Sequence, residues 1–393
     1  MPDSGDARPS IWRSERGASP PKNVVIADDT TTADAAYRLA CEGTALLWRG
    51  DFQNARQLLQ ALARRADKPA RKPKSSAAHT LSPLDTFHLH RQAQAQRARV
   101  LSMVLIPFDA DYGIPLRRAP DARLACGEAW GSADVVGGPS IASLRELLGL
   151  ISAHEWRRKG VEIASLGKPP TNRIHPHYGV FSPVRGEYVG LVAVAPLPAL
   201  AEAHASIRAF DIGTGTGVLS AVLARRGVGN VVATDQDPRA LACAQENMAR
   251  LGLAGQIQLI KTDLFPEGLA NLIVCNPPWL PARASSPIEH AVYDEDSRML
   301  LGFLNGLTAH LAEGGEGWLI MSDLAEHLGL RSPDMLAQAI DAAGLQVLGR
   351  MDARPVHPKA SDATDPLHSA RSLEVTSLWR LAPYKNTRGG LSL

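Results

Sequence analysis

Seven consecutive residues, Asp211-Ile-Gly-Thr-Gly-Thr-Gly217, limit the folds open to this chain more than anything else in it. They follow an apolar run at 207–212 and lead into a helical pattern at 217–226, so a strand must end in a glycine loop that opens a helix. That order belongs to parallel sheets covered by helices. Glycine at alternate positions removes Cβ, which lets φ turn positive and lets backbone approach a ligand closely. The free N–H groups of the helix start then favour a carboxylate or other polar group.

The pattern continues on both sides of the loop. Apolar or β-branched runs at 207–212, 230–234, 257–260, 271–275, 317–322, 345–350 and 374–381 read as strands. Helices fall at about 217–226, 238–251, 297–312 and 333–343. Val231-Val-Ala-Thr234 and Leu272-Ile-Val-Cys275 are unbroken, as strands buried on both faces should be. The interval 351–372 has little helical signal, which suits an antiparallel hairpin at the end. Residues 165–393 are therefore expected to form one α/β domain, a mostly parallel sheet with helices on both faces.

Ahead of it, residues 1–29 are rich in Pro, Ser, Gly and charge and read as a flexible tail. Residues 30–164 are expected to be a mainly helical domain that selects the substrate. A first helix runs to about Trp48, capped by Thr32 or Asp34. A second carries Ala55, Leu58, Leu59 and Leu62 at i, i+3, i+4, i+7, and the two make a helical hairpin. A basic loop near 64–76, with Arg71, Lys72 and Lys74, follows as an exposed connector. Positive charges exceed negative by roughly six before residue 160 and trail by about four after it. Such an excess permits contact with RNA or an acidic partner without requiring it.

No apolar run reaches the roughly 18–20 residues of a membrane span, and the first residues lack a secretory pattern. Cys41, Cys126, Cys243 and Cys275 have neither metal nor disulfide spacing, which suits a reducing compartment. The expectation is a cytoplasmic protein that holds no metal and meets no membrane. His88-Leu-His90 and His175-Pro-His177 lack a neighbouring ligand set and read as loop or helix-surface histidines.

A nicotinamide fingerprint would need a third glycine at position 218, where Val218 stands. The spacing here is G-x-G-x-G preceded by Asp211, and a cationic methyl donor suits an acidic lip better than a pyrophosphate does. Gly213, Thr214, Gly215 and Gly217 are the expected loop contacts. Asp235 ends the second strand, where it can accept from two ribose hydroxyls. Asp263 ends the third, where it can accept from an adenine amine while Leu264 packs on the ring.

The acceptor side is Asn276-Pro-Pro-Trp279, at the end of the fourth strand. Pro277 and Pro278 lack N–H groups and fix a stiff turn. The Asn276 side-chain oxygen and the Pro277 carbonyl can accept the two hydrogens of an –NH2 group, freeing its lone pair to aim at a methyl carbon. Trp279 can stack on a planar acceptor. Asp294, Asp296 and Arg298 follow and are further candidates to line a substrate cleft.

On these residues the chain resembles the class I S-adenosylmethionine-dependent methyltransferases, and more narrowly their N5-glutamine and N6-adenine branch, marked by (Asn/Asp)-Pro-Pro-aromatic. The likeness covers roughly residues 165–385. It implies a Rossmann-like, seven-stranded sheet and S-adenosyl-L-methionine as cofactor. It implies donor contacts at Asp211, Gly213, Gly215, Gly217, Asp235 and Asp263, with acceptor contacts at Asn276 to Trp279. Phe181, Pro183, Arg185 and Glu187 loosely match the Phe-x-Pro-Arg-Pro-Glu-Thr-Glu segment of protein-glutamine methyltransferases, without its threonine, and are candidate substrate contacts. The usual tyrosine of the tetrapeptide is tryptophan here. The resemblance implies N-methylation of a protein glutamine. An exocyclic adenine or guanine amine in RNA is the alternative substrate, and a catalytically silent partner-binding subunit is the rival of another class.

Overall fold

The computed structural model describes residues 9–67, 81–133, 137–184, 186–199, 207–284, 287–356 and 362–384. The chain divides into two compact units, Met1–Arg158 and Lys159–Leu393.

The first unit is built on a sheet that the hydrophobic pattern did not announce. Its strands are β1 (Ile11–Trp12), β2 (Asn23–Ala27), β3 (Thr44–Trp48), β4 (Val104–Phe108) and β5 (Ser140–Ser143), in the order β1-β5-β4-β3-β2. Helices α1 (Ala33–Cys41), α2 (Phe52–Ala66), α3 (Pro83–Leu101), α4 (Arg123–Trp130) and α5 (Leu144–Lys159) accompany it. Two expectations are corrected here. Residues 11–12 and 23–27 are sheet strands where a flexible tail was expected. The expected helical hairpin is interrupted, because the first helix stops at Cys41 and Thr44–Trp48 is a strand. Gly43, at φ +84°, takes the left-handed turn that separates them. The helices remain, so the unit is α/β rather than mainly helical. The core of the basic loop, 68–76, lies outside the described residues.

The second unit opens with a small antiparallel pair, β6 (Val161–Glu162) and β7 (Arg173–Ile174), and helix α6 (Glu187–Val194). Its main sheet comprises β8 (Arg208–Ile212), β9 (Asn230–Asp235), β10 (Ile257–Lys261), β11 (Ala270–Cys275), β12 (Leu311–Ser322), β13 (Leu345–Ala353) and β14 (Thr376–Pro383). The order is β10-β9-β8-β11-β12-β14-β13, parallel except for the antiparallel pairings of β14. All seven strands and the closing hairpin answer to the expectation, and the fold is the Rossmann-like α/β sheet.

Both sheet faces are buried, as the alternation of side chains shows. Ala209, Leu272, Val274, Trp318 and Ile320 enter one apolar cluster, while Phe210, Ile212, Ile273, Cys275 and Leu319 enter another. Helices α6, α7 (Val218–Arg225) and α8 (Pro238–Leu251) supply the first cluster. Helices α9 (Arg298–His310) and α10 (Met335–Ala342) supply the second. Strand order reverses between β8 and β11, and ligands of open α/β sheets bind at such a reversal, outside the carboxyl ends of the strands. No helix among the described residues is long and apolar enough to cross a membrane.

Candidate active site

The glycine loop and the proline turn leave neighbouring strands at the same level. Strands β8 and β11 run parallel, and Ile212 pairs with Cys275, the last residue of each. Gly213 and Asn276 therefore start their turns side by side, about 4.8 Å apart in strand spacing.

Three left-handed residues shape the loop: Gly213 at φ +71°, Gly215 at +54° and Gly217 at +81°. A Cβ at Gly213 would collide with the Met299 methyl of α9, and one at Gly217 would meet Met248 Cε at 2.8 Å and Ala244 Cβ at 3.2 Å. A Cβ at Gly215 would meet nothing within 4 Å. The outer glycines fit the loop to its neighbours, whereas Gly215 borders open space.

Asp211 does not form the acidic lip that was expected. It is 1 % exposed, and one carboxylate oxygen accepts from Thr214 Oγ1 (2.7 Å), Ser220 N (3.0 Å) and Ser220 Oγ (2.6 Å). Two residues on from Ala209, it shares the sheet face covered by α6, α7 and α8, and there it caps α7, whose own N-cap Gly217 offers no side chain. Burial pushes its carboxyl above the ordinary aspartate value, only partly offset by those hydrogen bonds. Thr214 is also buried, with its N–H donating to the Thr234 carbonyl at 2.8 Å.

Asp235, at the end of β9, reaches the loop. One of its oxygens accepts Gly215 N–H at 3.0 Å and the other accepts Asp237 N–H at 2.9 Å. Burial raises this carboxyl too. Asp263 is half exposed and ion-paired with Arg298 at the start of α9. Leu264 takes φ +66° and leans on α9, while its carbonyl accepts Thr234 Oγ1 at 2.6 Å.

In the proline turn, Pro277 is buried and Asn276, Pro278 and Trp279 are half-buried. Trp279 Nε1–H donates to Asn276 Oδ1 at 3.0 Å, and the indole packs against both apolar clusters. Asp294 is buried and caps α9, accepting the N–H groups of Met299 (3.0 Å) and Leu300 (3.1 Å).

The upstream segment is less united. Phe181 is exposed and Pro183 buried. Glu187, in the first turn of α6, accepts Val356 N–H at 2.9 Å from the chain beyond β13. Arg185 lies outside the described residues. Among the described residues no group of three or more His, Cys, Asp or Glu could hold a metal ion. His177 instead pairs with Glu246 of α8 at 2.6 Å.

One residue of the site went unread in the sequence. Asn247 is fully buried, accepts His175 N–H at 2.8 Å and donates to the Thr216 carbonyl at 3.0 Å, tying the upstream segment to the glycine loop. Its signal is an amide on the apolar stripe of α8, beside Cys243, Ala244, Met248 and Leu251.

The strand order places the glycine loop and the proline turn together at the reversal point of a Rossmann-like α/β fold. Residues 171–341 match the model of the methyltransferase small domain. The chain is 33% identical over 188 residues to a release factor glutamine methyltransferase of Cereibacter sphaeroides, covering 43% of this chain and 63% of that one. It is 46% identical over 69 residues to a ribosomal protein L11 methyltransferase of Pelotomaculum thermopropionicum, covering 17% of this chain and 22% of the relative. A release factor glutamine methyltransferase of Moorella thermoacetica is 37% identical over 115 residues, or 28% of this chain and 41% of the relative. The chain thus spans less than two thirds of the length of each of these relatives.

Proposed function

We propose that this protein transfers a methyl group from S-adenosylmethionine to a planar nitrogen, and that the acceptor is the side-chain amide of a protein glutamine. The observation that carries the reading is the pairing of Ile212 with Cys275, which starts the glycine loop and the Asn276–Trp279 turn side by side on adjacent parallel strands. Names of relatives that act on release factors and on a ribosomal protein support a protein acceptor.

The residues suit the donor. Open space at Gly215 leaves its backbone accessible, and the Asp235 carboxylate beside it is in place to accept ribose hydroxyls. Asp263 and Leu264 would hold the adenine, and the backbone of Gly213 to Gly217 the methionyl end. Asp211 and Thr214 would act from beneath, by shaping the loop. When bound, S-adenosylmethionine supplies a methyl group on a positively charged sulfur.

Asn276 Oδ1 and the Pro277 carbonyl would accept the two N–H bonds of the acceptor. Held that way, the nitrogen can withdraw its lone pair from conjugation and direct it at the methyl carbon. The prolines hold both acceptor oxygens with little reorganisation, so positioning supplies most of the rate. No strong base is needed, because the methylated nitrogen gives up its proton to water. Phe181, Pro183, Arg185, Glu187 and the first unit would select the substrate.

The test is incubation with radiolabelled S-adenosylmethionine and whole-cell extract. Label released by protease and kept through nuclease is expected; nuclease-sensitive label would move the reading to an RNA amine. Absence of both label and donor binding by calorimetry would indicate a silent subunit.

A further inference from the structure

We propose that Trp279 is a positioning residue that fixes which way the Asn276 amide points. The inference rests on the reading of Asn276 as the acceptor contact. An asparagine amide carries an oxygen and an NH2 group of nearly the same shape, and its terminal torsion is broad and roughly two-fold. Turned the wrong way, it would set its own N–H groups against those of the acceptor. The structure supplies a device against that. The Trp279 indole Nε1–H, which can only donate, reaches Asn276 Oδ1 at 3.0 Å. Rotating the amide would replace this hydrogen bond with two facing donors.

The indole is itself held in place, because its ring packs on the apolar clusters of both sheet faces. The two prolines fix the backbone of the turn, and the tryptophan fixes its functional side chain. With one lone pair of Oδ1 taken by the indole, one remains for the acceptor, and the second acceptor N–H falls to the Pro277 carbonyl. Phenylalanine has no group to donate. Tyrosine carries its O–H at the far end of the ring, in line with Cβ, whereas the indole N–H projects from the flank. Neither makes this contact from the same backbone position.

The test replaces Trp279 in the full chain by phenylalanine and by 3-benzothienylalanine, a bicyclic isostere in which sulfur stands where N–H was. The Asn276 side-chain resonances, assigned by their disappearance in Asn276→Ala, are followed in 15N–1H spectra. In both variants they are expected to move to the values of solvent-exposed asparagines, while the isostere keeps the wild-type melting temperature. Incorporation of label from S-adenosylmethionine into the protein fraction of cell extract should fall about tenfold, the loss of one hydrogen bond, with unchanged donor affinity. Unmoved Asn276 resonances in the isostere, or full incorporation by it, would overturn the proposal. Should the wild type transfer no label at all, the reading of function fails, and the spectra still decide the positioning.

Discussion

The two turns that meet at the end of β8 and β11 achieve rigidity by opposite means. The glycine loop has a permissive backbone, with three left-handed residues in five, and it is held from outside. Asp211 supports it from below, Asp235 takes the Gly215 N–H and Asn247 takes the Thr216 carbonyl. The proline turn is stiff in its own covalent structure and needs one internal hydrogen bond, from Trp279 to Asn276. A loop braced by distant side chains can adapt to a large ligand and is sensitive to mutations elsewhere. A turn stiffened by its own prolines depends less on its surroundings. Damage should therefore spread on the glycine side and stay local on the proline side.

Four substitutions would break or sharpen this contrast. The largest effect belongs to Asn276→Ala, with turnover falling by about a hundredfold or more, as when a preorganised hydrogen-bonding group is removed. Calorimetry should find donor affinity unchanged, since the proline turn fails alone. Next comes Asp211→Ala, which strands three donors in a buried site and should cost about 3 kcal/mol of stability in denaturant titration. Here donor binding should fall together with stability. The charge adds a pH signature. The folded state holds this proton more tightly than the unfolded chain, so the stability the carboxyl carries is greatest in acid and declines as pH rises from the ordinary aspartate range, about pH 4, through its raised value. Relative to Asp211→Asn, the wild type should lose ground over that interval.

Asp235→Ala ranks third, weakening donor binding about tenfold or more through lost ribose contacts and a freed Gly215 N–H. A preserved dissociation constant would remove Asp235 from the donor site. The smallest change is expected of Arg298→Gln. Its ion pair with Asp263 is more than half exposed on both sides, at 62% and 52%, so stability should shift by less than about 1 kcal/mol. Donor affinity should hold or rise as the Asp263 carboxylate is released; a clear fall would mean that Arg298 itself touches the donor.

The second unit was legible because its punctuation is strong. Helix α8 falls at 238–251 as read, since Asp237 caps it, Pro238 begins it and Gly252 ends it in the left-handed conformation. The seven strands stand out as short apolar runs between such helices. The first unit defeated the same reasoning at Thr44–Trp48, where a short apolar run after a helix has no period that separates strand from helix. The site was readable in residue type and less so in direction. An acid beside a glycine loop suggests a ligand contact, yet Asp211 lies on the face of β8 covered by α7 and spends its carboxylate on Thr214 and Ser220. The bond from Trp279 to Asn276 could not be read at all, because it depends on how an indole is seated between two core clusters.

The central claim is that a donor held by the glycine loop lies against the proline turn. A 15N–1H titration of the full chain with S-adenosylhomocysteine tests it most directly. Saturable shifts of the Gly215 amide and of the Asn276 side-chain amide along one binding curve are predicted. Shifts at Gly215 with Asn276 unmoved at saturation, or no binding at all, would contradict it.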